Sequence, residues 1–490
     1  METATLVRQL GLWSNGRGPL QQKLARALMD VIRHGDVAPG LRLPSERALA
    51  GALQISRTTV VAAYDALREH GWLDSRAGSG TWVCSQSPVV SAARSSAQES
   101  ALAASPLLGL LDQRGDDDVV ELVLGTPLPL EELPAERFTL PGDEHAALLR
   151  DRGYYPFGLP ALRQAIAAEF CRSGLPTDRE QVLVTNGAQH AFMLCAMLSL
   201  QRGDTALLED PTYFGAIDAC RAIGARIATV PVGPGGAAPA AIRGRMTAAG
   251  ARLIYLTTTF QNPTGTVMPI QARKDLARMV SEFGVTVVDD RTMADLILEG
   301  SPPPPLAAFA PDQPILTIGS LSKLVWPGLR VGWIRAPEPM VQRLARLKSA
   351  MDLGSPITTQ AVAARLVGTL DEVRRLRRQQ LKPRRDLLAS LLSERIPEWT
   401  FRVPHGGLFL WVQLPSGDAR EFAQFAVRHG VVTLPGSTLS ADESHTAFLR
   451  LPFLAEPETL RRGVDRLATA WRLFQSPTRT NRRASVAVLQ

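Results

Sequence analysis

SLSKLVWPGLRVGW, residues 320–333, sets one lysine among apolar, strand-forming residues and follows it closely with an arginine. An ammonium group taken out of water is costly to keep charged, so the pKa of Lys323 falls and its amine becomes a nucleophile suited to a Schiff base. Ser320 and Ser322 add hydroxyls, and the planar fork of Arg330 can grip a phosphate with two bonds. A lysine of this kind beside an anion seat is a candidate anchor for a phosphorylated aldehyde.

Four segments upstream supply the rest of such a site. Val285-Thr286-Val287-Val288-Asp289-Asp290 is an apolar strand running into carboxylates. It puts acids at the C-terminal edge of a parallel sheet, where open α/β sheets bind ligands. Leu253-Ile254-Tyr255-Leu256 is a second apolar strand, and Gln261-Asn262-Pro263-Thr264-Gly265 after it holds an amide donor in a turn. Asp210-Pro211-Thr212-Tyr213-Phe214-Gly215 can offer an aromatic face to a planar ligand, although alone Tyr213 reads as a core residue. Thr185-Asn186-Gly187-Ala188-Gln189-His190 links the strand Gln181-Val182-Leu183-Val184 to a helix over Ala191–Leu200. Such a turn cradles an anion on free amides, and alone it is one βα turn among many. In this order, the five segments describe a site for pyridoxal phosphate. Lys323 would form the Schiff base, a carboxylate would counter the ring nitrogen, and the cradle with Arg330 would hold phosphate.

Strands and helices alternate from about Val119 to Gln475, which predicts an α/β domain with a mostly parallel sheet. Upstream lies a module of different texture, assigned to residues 15–83. Leu20, Leu24, Leu28, Val31 and Ile32 mark an amphipathic helix. Ser45 caps a second helix with Leu49 and Leu53 buried, and Ser56 caps a third from Arg57 to Leu67 that stops at Gly71. Trp72-Leu73-Asp74 and Thr81-Trp82-Val83 flank a Gly78-Ser79-Gly80 turn and form a wing. Helix, helix, turn, helix and hairpin make a DNA-reading arrangement, with Arg57, Thr58 and Thr59 at the end that enters the major groove.

Residues 84–118 include SQSPVVSAARSSAQESALAASP, a composition that buries no core and reads as a flexible linker. Residues 476–490, with Arg479, Arg482 and Arg483, read as a disordered basic tail. The basic run Arg374, Arg375, Arg377, Arg378, Lys382, Arg384 and Arg385 reads as the solvated face of a long helix, with DNA phosphate contact the lesser alternative. Lys and Arg number 54 against 47 Asp and Glu, a net charge of +7 that leans toward an anionic partner without deciding it. The four cysteines form no CxxC pair or metal-ligand spacing, so no metal is expected. Neither a signal-peptide core nor a membrane span is legible, and the expectation is a cytoplasmic, nucleoid-associated protein with no membrane partner.

At LPSERALA, ISRTTVVAAYDALREHGWL and GSGTWV the chain resembles the GntR winged helix-turn-helix regulators. That resemblance implies DNA contacts at Ser45, Arg47, Arg57, Thr58, Thr59 and Gly80. Val61 departs from it, where many members carry an arginine. Residues 119–475 resemble the fold-type I aminotransferases, which implies a large domain and a small C-terminal α/β domain. It also identifies Lys323 as the Schiff-base lysine, Asp290 as partner of the pyridine nitrogen, Asn262 as donor to the ring O3′ and Tyr213 as the stacked aromatic. Gly187, Ala188, Gln189, Ser320, Ser322 and Arg330 would hold phosphate, and Arg450 an effector carboxylate. Either Tyr154 or Tyr155 would reach the cofactor of a neighbouring subunit. Thr292 departs from the family's usual tyrosine.

The whole resembles the MocR regulators, a multidomain plan that joins an α+β winged helix-turn-helix to the α/β aminotransferase-like domain. It implies a homodimer, domain-swapped head to tail, on a double-stranded DNA operator. Pyridoxal phosphate itself, or a small amino compound exchanging with Lys323 on the cofactor, would be the signal. The alternative is a true aminotransferase with a DNA-tethering N-terminal module.

Overall fold

The computed structural model describes residues 3–11, 13–14, 19–33, 36–38, 40–69, 71–76, 80–84 and 119–475. The linker expected over 84–118, beyond Cys84, and the basic tail lie outside the described residues, as do Gly78 and Ser79 of the wing turn. Two compact units divide the chain. One comprises Met1–Leu122, Ser416–Leu434 and Arg462–Gln490, the other Val123–Pro415 and Pro435–Arg461.

In the first unit, α1 (Thr3–Gln9), α2 (Leu20–Arg33), α3 (Glu46–Leu53) and α4 (Arg57–Glu69) precede the hairpin of β1 (Leu73–Arg76) and β2 (Gly80–Val83). α1 was not foreseen, because seven residues give too little periodicity to read. It still buries Leu6 and Val7 in the core that Leu24, Leu28, Leu49, Val60, Ala63, Tyr64 and Leu67 form. The Ser45 oxygen accepts from the Ala48 amide at 3.2 Å, capping α3. Ser56 does the same for the Thr59 amide at 3.1 Å, capping α4. The buried Tyr64 hydroxyl donates to the Pro44 carbonyl at 3.0 Å, fixing α4 against the start of α3.

The same unit contains β3 (Val120–Leu122), which pairs in parallel with the strand Val431–Pro435 over Val431–Thr433. Its helix Ala419–Val427 is capped by Asp418, and the Gln424 amide donates to the Gly11 carbonyl at 2.6 Å. Arg428 donates to the Gln54 carbonyl at 3.0 Å.

The second unit is built on an eight-stranded mixed sheet. Its strands are β4 (Val182–Thr185), β5 (Thr205–Asp210), β6 (Arg226–Gly233), β7 (Gly236–Ala237), β8 (Ala251–Leu256), β9 (Thr286–Asp290), β10 (Ile315–Ser320) and β11 (Gly332–Arg335). They lie in the order β4-β11-β10-β9-β8-β5-β6-β7. Strands β10, β9, β8, β5 and β6 pair in parallel, whereas β11 runs against both neighbours and β7 folds back on β6. Strands β5, β8, β9 and β10 are buried on both faces over most of their length, which is why they read as near-continuous apolar runs, whereas β6 is largely half-buried or exposed. Helix Ala188–Ser199 lies on this sheet through Ala191, Phe192, Leu194 and Cys195. A separate antiparallel set holds β12 (Thr400–Phe401), β13 (Phe409–Gln413) and β15 (Phe448–Pro452), the strand Val431–Pro435 being β14.

The basic run falls on helix Leu370–Arg395, and the solvated-face reading needs correction. Arg377 and Arg385 are each 2% exposed. Arg374 bonds Glu169, Asp295 and Asp371, and Arg385 bonds Glu299 and Asp386. Most of these cations therefore hold the unit together. No helix of the described residues is long and apolar enough to cross a membrane, and no cluster of possible metal ligands occurs among them.

Candidate cofactor site and DNA-reading helix

The site grows from the C-terminal ends of β9 and β10. Asp290 closes β9 and is 7% exposed. Its Oδ2 accepts from the Tyr255 hydroxyl at 2.6 Å and its Oδ1 from the Thr292 amide at 2.9 Å. Burial raises its pKa, while these two bonds oppose the rise by favouring the ionised form. Tyr255 sits on β8, fully buried, edge-on to Phe192. Burial and the neighbouring Asp290 hold its hydroxyl protonated, so it acts as a donor.

Lys323 follows β10 by three residues, and its Nζ donates to the Gly125 carbonyl at 2.7 Å. Burial first, then the Arg450 guanidinium, bring its pKa down to about 8 against the pull of Asp290. Arg450 lies on β15, 3% exposed. Its Nη1 donates to Asn262 Oδ1 at 3.1 Å and its Nη2 to the Val123 carbonyl at 2.9 Å. The guanidinium lies 4.1 Å from the Phe409 ring centroid, and Nε is buried without a partner. Because Arg450 takes Oδ1 of Asn262, the Nδ2 amide is the group left to donate to a ligand oxygen. The Tyr213 ring packs over Gly215, and burial, reinforced by Asp290, raises its pKa to about 12.

The anion end is set by two glycines. Gly187, at φ 90°, precedes helix Ala188–Ser199, whose first amides have no intrahelical acceptor. A Cβ on Gly332 of β11 would come within 2.7 Å of the Gly187 carbonyl carbon and 2.9 Å of the Ala188 nitrogen. The cradle therefore rests directly on the strand. Arg330 is exposed, and its Nη2 donates to the Asn186 carbonyl at 2.9 Å beside Gly187. Ser320 donates to the Val331 carbonyl at 3.0 Å and lies 2.7 Å from the Ser322 hydroxyl. The Gln189 side-chain amide is spent on the Gly215 carbonyl at 2.8 Å, so Gln189 offers the cradle its backbone rather than that amide nitrogen.

Lys323, Asp290, Asn262, Tyr213, Arg450, Arg330 and the glycine turn thus belong to one unit and one region of it. The two tyrosines are not gathered with them. Tyr155 donates to Asp151 at 2.7 Å, and Tyr154 is 71% exposed. Tyr255 was missed as a functional residue. A tyrosine in a strand otherwise entirely apolar was the available signal, since a buried hydroxyl needs a partner. Glu209 was missed as well. Fully buried at the end of β5, it accepts from the Thr257 amide at 2.8 Å, and burial lifts its pKa to about 8.

Donor chemistry at this site fits a phosphorylated pyridine aldehyde. It combines an anion cradle with no room for a Cβ beneath it, a carboxylate held by two donors, an amine of lowered pKa and a buried guanidinium with an orphan Nε.

On the DNA-reading side, Arg47, Arg57 and Thr58 are exposed on α3 and α4, and Ser45 is exposed at its cap. The Ser56 hydroxyl lies 2.7 Å from both the Thr58 and Thr59 hydroxyls, and Arg57 reaches Glu46 at 3.2 Å. Gly80 carries φ 106°, and the Arg42 side chain lies against it. Val61 is half-buried.

Fold and site together define a two-part protein, a DNA-binding regulator module joined to an aminotransferase-type domain. Residues 135–467 match the family model for aminotransferase class I and II, and residues 20–83 that for bacterial regulatory proteins of the gntR family. The chain is 30% identical to the HTH-type transcriptional regulator YisV of Bacillus subtilis (strain 168), over 94% of this chain and 97% of the relative. It is 27% identical to the "Probable rhizopine catabolism regulatory protein MocR" of Rhizobium meliloti, over 94% and 95% of the two chains. The crystal structure of LysN from Thermus thermophilus, an alpha-aminoadipate aminotransferase complexed with N-(5'-phosphopyridoxyl)-L-leucine, superposes with a TM-score of 0.69. It is 31% identical and covers 77% of this chain and 97% of its own. The chain belongs to the aminotransferase class I and II family and carries a GntR-family module, the arrangement of MocR-type regulators.

Proposed function

We propose that this protein is a pyridoxal phosphate-dependent transcription regulator, in which occupancy of the Lys323 site sets how the N-terminal module binds its operator. The cofactor supplies an aldehyde that condenses with a primary amine, releasing water. Lys323 offers its amine partly neutral near physiological pH, because burial and Arg450 disfavour its charge. Asp290, whose carboxylate accepts from the Tyr255 hydroxyl and the Thr292 amide, would pair with a protonated ring nitrogen. Asn262 Nδ2 would donate to the ring oxygen, and the Gly187–Gln189 backbone, Ser320, Ser322 and Arg330 would hold phosphate. Arg450 turns from Asn262 and Val123 to take the carboxylate of an amino-compound effector. The observation that carries this reading is the junction of Lys323 and Arg450. Lys323 lies within electrostatic reach of both Arg450 and Asp290, and Arg450 is buried with its Nε unpartnered.

The regulator works as a homodimer in the cytoplasm, with Tyr154 or Tyr155 reaching the cofactor of the partner subunit and Ser45, Arg47, Arg57, Thr58, Thr59 and Gly80 on DNA. Its DNA module is the 15–83 segment together with α1, whose Leu6 and Val7 join the same core, followed by 84–118 and the aminotransferase-like domain 119–475. The purified protein is expected to show the visible absorbance of a lysine-bound pyridoxal group, and Lys323→Ala to lack it. Operator affinity is expected to change with pyridoxal phosphate in the wild type alone. Identical absorbance in Lys323→Ala, or operator affinity indifferent to the cofactor, would refute the reading. The same lysine, acid and arginine also suit transamination, so steady-state turnover with amino-acid donors separates regulator from enzyme.

A further inference from the structure

Three cations converge on the backbone of one short segment. Arg450 Nη2 donates to the Val123 carbonyl at 2.9 Å, Lys323 Nζ to the Gly125 carbonyl at 2.7 Å and Arg377 Nη2 to the Leu128 carbonyl at 3.0 Å. The segment therefore runs past the two cations that the proposed function assigns to cofactor and effector. It is held closely there. A Cβ on Gly125 would lie 2.4 Å from the Phe409 ring, the same ring on which Arg450 rests.

Arg377 differs from the other two. It sits on helix Leu370–Arg395, buried, and its remaining donors go to the Leu324 carbonyl at 3.0 Å, the Val325 carbonyl at 3.0 Å and the Gln380 side chain at 2.7 Å. One guanidinium thus ties the two residues after Lys323 to the carbonyl three residues beyond Gly125. None of these acceptors is a group that the proposed function assigns to cofactor or effector.

We infer that Val123–Leu128 is a strap that reports occupancy of the Lys323 site along the chain toward the DNA-reading module, with Arg377 as its fixed anchor. The inference rests on the proposed function of Lys323 and Arg450. When the Lys323 amine condenses with an aldehyde, a C=N bond replaces C=O and water carries off the oxygen and two amine hydrogens. The nitrogen would keep one N–H at most where the ammonium had three, so the bond to Gly125 would be given up. When a carboxylate takes the Arg450 fork, the bond to Val123 is given up too. Leu128 stays fastened. Release therefore begins at the Val123 end, which follows directly on β3, and the chain before β3 leads through residues 85–118 to the DNA module. Arg377 is a positioning residue in this scheme.

Hydrogen exchange of the full-length protein, followed in peptides covering residues 119–130, tests the strap with pyridoxal phosphate alone as probe. Loss of a charge-assisted bond is expected to speed exchange of the amides from Leu124 to Leu128 about tenfold as the visible band appears. In Lys323→Ala, exchange is fast from the start and the cofactor adds nothing. Arg377→Met loosens residues 126–129 and dulls the response of operator affinity to cofactor, and Arg377→Lys, which retains a donor, does so less. Should Arg377→Met fail to fold, the wild type and Lys323→Ala decide the matter. A visible band with unaltered exchange of residues 123–128 would overturn the strap and leave the cofactor reading standing. Absence of any band would remove the cofactor reading and the strap with it.

Discussion

The lowered pKa of Lys323 has a kinetic signature. Only the neutral amine adds to an aldehyde, and its fraction at about pH 7.5 depends steeply on the pKa. With the ordinary 10.5, about one molecule in a thousand is neutral; at about 8, about a quarter is, a gain of roughly 200-fold. Burial is the larger cause and Arg450 the next. Cofactor-stripped protein mixed with pyridoxal phosphate should therefore form its visible band at a rate that climbs with pH, bends near 8 and flattens above. Arg450→Met removes a positive neighbour and should carry the bend upward, slowing capture at neutral pH several-fold. Stopped-flow absorbance across the pH range measures both. A rate still climbing past about pH 10 in the wild type, or an unmoved bend in Arg450→Met, would refute the electrostatic account.

Three further outcomes are expected. Tyr255→Phe keeps the packing on Phe192 but deletes a hydrogen bond to the Asp290 carboxylate, worth about 1.5–3 kcal/mol. Cofactor affinity from absorbance titration should fall about 10- to 100-fold, and an unchanged affinity would contradict the role given to Tyr255. Glu209, whose pKa rises from 4.5 to about 8, binds its proton more tightly folded than unfolded. Its stabilising contribution is complete below about pH 4.5 and lost as pH rises through about 8, of order 5 kcal/mol across that window. Glu209→Gln cannot titrate, so thermal melting should show a shallower pH slope than the wild type over this range; parallel slopes would count against it. Gly332→Ala drives a methyl into the Gly187 backbone. It should weaken pyridoxal phosphate by tenfold or more while leaving the far-ultraviolet circular dichroism intact, and undiminished binding would show that the cradle yields freely.

Much of the site was legible because its residues stand at strand ends, where an apolar run stops abruptly on a residue with chemistry. Asp290 announces itself this way and Lys323 just past its strand, Asn262 stands in the turn after β8, and the caps Ser45 and Ser56 mark the starts of their helices. The bonds between elements were not legible. Tyr255 meets Asp290 only because β8 and β9 pair in parallel with Tyr255 opposite Val288. That register brings together residues 35 positions apart. Arg377 was hidden in a run of cations whose charge suggests solvent. Its neighbours Leu376 and Leu381 are buried like it, and its acceptors Leu128 and Leu324 are distant in sequence. The sheet was expected to be mostly parallel, and its reversed strand β11 follows the Pro327–Leu329 turn, whose chain direction no periodicity encodes.

The contact between Gly332 and the Gly187 turn has an evolutionary reading. At most positions a binding site can lose a contact and regain it later by a single reversal. Here, a side chain gained at position 332 would lift the turn, and the residues above it would then adapt to the lifted backbone. Restoring the glycine alone would leave a void where the turn once lay. The phosphate seat is therefore tied to position 332, and no side chain fits there without displacing the Gly187 turn.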